Sequence, residues 1–82
     1  MFSVRWSPSA SADFAAISIL YPNRWNDIDD AGDDLDDKLR LDPMTHGQHI
    51  SEDLWRIISR PLVAYYTVDG NEVTISAVAW IE

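Results

Sequence analysis

The chain has 82 residues, 46% of them hydrophobic and 11% aromatic, enough apolar matter for one small core and too little chain for a second domain. Six Lys and Arg against fourteen Asp and Glu set the formal charge at −8, which opposes direct binding to DNA or another polyanion unless the few cations gather on one face. With no Cys, a disulfide framework, a thiolate zinc site and cysteine catalysis are excluded.

Met1–Trp6 alternates, with Phe2, Val4 and Trp6 on one side and Ser3 and Arg5 on the other, the period-two pattern of a strand with one buried face. Ser7-Pro8 ends it and offers an N-cap followed by a proline at the first helical position, so a helix is predicted from there to about Leu20. Its stripe is Ala10, Phe14, Ile17 and Tyr21, and Pro22 closes it. The longest apolar run, Phe14 to Tyr21, is interrupted by Ser18 and is too short for a membrane span or a signal peptide, so a soluble cytoplasmic protein is expected.

A second helical stripe follows as Trp25, Ile28, Gly32, Leu35 and Leu39, and Asp42-Pro43 terminates it. Seven of the fourteen acids fall in this segment, at Asp27, Asp29, Asp30, Asp33, Asp34, Asp36 and Asp37. An EF-hand loop begun at Asp27 meets Ala31 where an oxygen ligand is needed and Lys38 where the bidentate Glu belongs, so the run reads as a solvated helix face. Asp34–Lys38 and Asp36–Arg40 have the favourable i,i+4 order, each worth about 0.2–0.5 kcal/mol. The two stripes imply a helical hairpin whose joint apolar face needs a cover.

That cover is expected from three strands, Leu54 to Ser59, Leu62 to Val68 and Val73 to Ile81, separated by Arg60-Pro61 and by a turn at Asp69-Gly70-Asn71-Glu72. The segment Thr45–His49, with both histidines, reads as a surface loop. A zinc site there would lack a fixed third ligand, with Glu52 or Asp53 as the nearest candidates. No Gly-x-Ser-x-Gly elbow and no phosphate-cradling glycine pair occurs, and no metal or cofactor is expected.

If Leu62, Ala64, Tyr66 and Val68 face the helices with Val73, Ile75, Ala77 and Ala79, then Val63, Tyr65, Thr67, Thr74, Ser76, Val78 and Trp80 face outward. With Arg56 and Arg60 on the same side, that surface has the composition of a protein-binding face. The alternative is that Trp80 only covers the sheet edge.

In their order the segments resemble the RelE/ParE superfamily of bacterial type II toxin–antitoxin toxins, of plasmid-stabilisation type. The resemblance rests on Val4–Ala10 with Asp13-Phe14, Leu39–Pro43 with Gly47, Leu54–Ile57, Pro61–Asp69 and Val73–Ile75. It implies one α+β domain over residues 1–82, ordered β-α-α-β-β-β, with the helical hairpin on one face of a mainly antiparallel four-stranded sheet. It also implies a cognate antitoxin as partner, with gyrase or the ribosome as target. RelE-like toxins cleave messenger RNA on the ribosome, whereas ParE-like toxins inhibit gyrase. Here the position resembling the RelE-type catalytic Arg holds Val63, and no His, Tyr or basic residue follows the last strand. Substitutes for that chemistry are Arg56, Arg60, His49 and Tyr65. Protein binding through Arg56, Arg60, Tyr65 and Trp80 is therefore the expectation, with RelE-type cleavage and a non-toxic interaction or oligomerisation module, including a homodimer, as alternatives.

Overall fold

The computed structural model describes residues 1–81. Strand β1 (Ser3–Trp6) leads into helix α1 (Pro8–Leu20), a single 3₁₀ turn (Pro22–Arg24) and helix α2 (Trp25–Leu41). A one-turn helix α3 (Pro43–His46) precedes β2 (Gln48–Ser51), β3 (Leu54–Ser59), β4 (Leu62–Asp69) and β5 (Glu72–Trp80). The strands form one sheet in the order β1-β5-β4-β3-β2, with β1 parallel to β5 and the other pairs antiparallel.

The sheet has five strands where four were expected. The extra one, β2, and the short α3 occupy the segment read as a loop. Asp42-Pro43 is a helix start as well as a stop: Asp42 Oδ1 accepts the amides of Met44 and Thr45 at 3.1 and 3.2 Å, and Oδ2 accepts the Thr45 hydroxyl at 2.7 Å. Strand β2 has every residue exposed, so no hydrophobic alternation marks it, and its pairing with β3 makes it a strand.

Helix α1 begins where expected, with the Ser7 hydroxyl accepting the Ala10 amide at 3.0 Å and Pro8 at the first helical position. Helix α2 buries Ile28, Ala31, Gly32, Leu35 and Leu39 against the sheet. Phe14 of α1 reaches Gly32 so closely that a Cβ there would lie 3.0 Å from its ring, which is why a residue without a side chain serves at this crossing. The core joins these residues to Ile57, Leu62, Ala64, Tyr66, Val73 and Ile75 of the sheet.

The sheet's outer strand β1 is only four residues long, and its pairing with β5 ends at Trp6 opposite Ile75. Beyond that point α1 takes over the edge: Ser7 N–H donates to Ile75 O at 2.9 Å, and Asp13 Oδ2 accepts the Val78 amide at 3.1 Å. The only ionisable side chain of α1 thus stands in for a missing strand partner.

Candidate functional site

Strand β5 carries one extra residue. Tyr66 pairs with Ile75 and Tyr65 with Ala77, leaving Ser76 as a bulge. Before the bulge, Val73 and Ile75 face the helices as expected. After it the parity reverses, so Val78 and Trp80 face the helices while Ala77 and Ala79 pair with Tyr65 and Val63 on the other side.

The outward placement of Trp80 is therefore corrected. Its ring stacks on Tyr21 with centroids 3.8 Å apart and planes 11° off parallel, and the Arg24 guanidinium lies 5.1 Å from its centroid. These two contacts fasten the end of the sheet to the turn between α1 and α2. Trp25, expected in the buried stripe, is instead 57% exposed, and its indole N–H donates to Ser18 O at 2.7 Å.

The remaining candidate residues do not form one group. Arg56 and Tyr65 are cross-strand neighbours on the open face, and Arg56 Nε donates to Gln48 Oε1 at 2.8 Å across the β2–β3 pair. The Ser76 hydroxyl donates to Tyr65 O at 3.1 Å, tying this face to the bulge. Arg5 pairs in register with Thr74 on the same face. His49 lies on the opposite side: its ring is 4.8 Å from that of Trp55, and its Nε2 is 2.6 Å from Glu52 O. Arg60 sits exposed at the β3–β4 turn, on the rim of a recess of about 420 Å³ that also contains Arg24, Asp30 and Asp34.

The helix layer has opposite electrostatics. Asp34 accepts the Ser59 hydroxyl at 2.7 Å and pairs with Lys38 at 3.0 Å, and these two contacts hold its carboxyl below the usual range. Asp42 is also lowered, first by the Thr45 hydroxyl and then by the Thr45 amide. Asp36 pairs with Arg40 at 2.6 Å. Behind α3, burial pushes the Tyr66 hydroxyl up to about 12, with the Asp42 charge adding to the effect, and this hydroxyl donates to Pro43 O. A side chain on Gly47 would collide with it, since a Cβ there would overlap Tyr66 Oη.

Helices α1 and α2 meet at Phe14 and Gly32 but do not close along their length, leaving an open groove of about 820 Å³. Trp6 and Phe14 line it, edge to face with centroids 5.6 Å apart, and Asp29, Asp33 and Asp37 stand along the α2 side. The acidic stripe was legible from spacing, but the splay that makes it a wall was not.

The whole chain aligns with 98% of a chain from the chromosomal ParDE TA system of P. aeruginosa, at a TM-score of 0.76 and 22% identity. The two share one fold, in agreement with the fold class expected from the resemblance drawn from the sequence. No protein-family model and no curated protein matches the chain. Among the described residues no helix is long and apolar enough to cross a membrane.

Proposed function

We propose that the chain is the toxin-type member of a cytoplasmic two-protein toxin–antitoxin pair, acting by binding a protein and held inactive by a cognate antitoxin. The observation that carries this reading is the end-to-end likeness to a chain of the ParDE TA system. The open sheet face supports a binding mode. Arg56 and Tyr65 adjoin there on rigid strands, with Gln48 orienting the guanidinium, and Arg and Tyr are residues that commonly anchor protein interfaces. The same geometry speaks against phosphodiester cleavage at this face, because His49 is on the other side of the sheet and Arg60 is beyond the end of β3. The resemblance makes gyrase the target to examine first and the ribosome the second.

Expression of the chain alone should arrest growth, and co-expression of the adjacent gene product should relieve the arrest. Arg56→Ala with Tyr65→Ala should abolish the arrest while leaving the circular dichroism spectrum unchanged. Uninterrupted growth would refute the toxin reading. Transcripts cleaved on induction would replace binding with RNA cleavage as the mechanism.

A further inference from the structure

The groove between α1 and α2 has two unlike walls. On the α2 side, Asp29, Asp33 and Asp37 recur every fourth residue and so form a row roughly 12 Å long. Among the described residues none of the three is paired with a cation, whereas Asp36 beside them is paired with Arg40. On the α1 side there is no Lys or Arg anywhere in the helix, and Phe14 with Trp6 gives an aromatic floor. Past the groove, Ala12, Ala15 and Ala16 continue α1's exposed surface as uncharged helix. Carboxylates aligned along a cleft reinforce one another's potential.

We propose that this groove is the docking site for a basic, amphipathic α-helical segment of a partner protein. Lys or Arg at every fourth position of that segment would meet Asp29, Asp33 and Asp37, and its small apolar side chains would lie against Phe14 and Trp6. A second copy of this chain does not suit the groove, because it brings a net charge of −8. The proposal rests on the toxin-type reading only in taking the segment to belong to the controlling partner. The groove's chemistry holds without it.

The test uses a fluorescein-labelled helical peptide of Ala, Leu and Lys, with Lys at every fourth position on one face, and follows its anisotropy on titration with the full chain. Asp29→Asn, Asp33→Asn and Asp37→Asn together should weaken binding at least about tenfold. Ser11→Lys, which places a cation at the exposed α1 rim of the groove, should weaken it as well. A variant losing the same amount of charge in the strand turns, Asp53→Asn, Asp69→Asn and Glu72→Gln, should bind nearly as wild type does. Equal loss in both triple variants would reduce the effect to net charge and overturn the proposal. So would undiminished binding by Ser11→Lys, or tight magnesium binding that displaces the peptide through the same three carboxylates. Growth arrest separates the two readings: arrest without peptide binding sinks the groove alone, and peptide binding without arrest sinks the toxin reading alone.

Discussion

Helices α1 and α2 lie on the same sheet and flank the same turn, yet they are held by different proportions of apolar and polar contact. Helix α2 carries seven Asp with Lys38 and Arg40, and its buried stripe of Ile28, Ala31, Gly32, Leu35 and Leu39 fixes it to the sheet. Helix α1 has a single ionisable residue, Asp13, turned inward to the backbone of β5. A strongly patterned helix gains its place from one apolar face. Helix α1 buries a narrower apolar stripe, Ala10 and Ile17 with Phe14 packed beside them, and the polar contacts of Ser7 at its start and Asp13 in its middle add to that stripe in setting its rotation.

The largest effect that sharpens this contrast is on the buried stripe. Leu35 is fully buried, and Leu35→Ala should destabilise the fold by about 2–5 kcal/mol in urea unfolding. Asp33→Ala, two residues earlier on the exposed side, should stay within about 0.5 kcal/mol. Comparable losses would mean that the acidic row contributes to the fold and is not simply solvated. Next comes Asp13→Ala, which strips the acceptor from the Val78 amide at the sheet edge and should cost about 1–3 kcal/mol. Native-state hydrogen exchange should show the Val78 amide losing protection more than that of Tyr66 in the sheet interior. Equal changes at both amides would deny Asp13 its local role.

These two helices also mark how far the sequence could be read. Both were legible in extent, since Ser7-Pro8, Pro22 and Asp42-Pro43 are local signals that the structure uses where they stand. Strands β3 and β4 were legible for the same reason, bounded by Pro61 and by Gly70 at a φ of +60°. The second half of β5 was not. A bulge at Ser76 shifts register through pairing with β4, and nothing in Thr74–Trp80 marks the extra residue, so Trp80 moved from the supposed binding face to the Tyr21 stack. Arg56 and Tyr65 share one face, as the alternation suggests, because both lie on strands whose pairing is unbroken between them. Asp13 was visible as a residue but not as an edge cap, since its partner is 65 residues away.

Acid sensitivity is a smaller effect and belongs to the α2 side. The folded-state carboxyl of Asp34 is held low by the Ser59 hydroxyl and then by Lys38. A depressed folded pKa contributes stability that is present above the ordinary value of 3.8 and is lost as pH falls through the lower folded value. Ser59→Ala removes the leading cause, so its destabilisation should be visible at neutral pH and shrink in acid below 3.8, where the wild type loses the same contribution. Because Asp34 is partly solvated, the difference should be smaller than that of Asp13→Ala. A Ser59→Ala effect that does not vary with pH would assign the Ser59 contact to packing and not to charge.

The smallest expected change is on the outer side of α1. Ile19 and Leu20 are 78% and 70% exposed, so their side chains have gained little from folding. Replacing both with Ser gives up only helix propensity, a few tenths of a kcal/mol per residue. For a domain of this size that corresponds to a shift in Tm of a few degrees at most, roughly 4–8 °C per kcal/mol. The same substitutions on α2's buried face, at Ile28 and Leu35, would remove core side chains and unfold the chain. A melting scan of Ile19→Ser with Leu20→Ser that falls by tens of degrees would show that the outer face of α1 also contributes to the fold, which would weaken the contrast between the two helices. If the shift is small, α1 is fastened by its buried Ala10 and Ile17, its inward Phe14 ring, its cap and its single carboxylate, while its outer surface stays free of any duty to the fold.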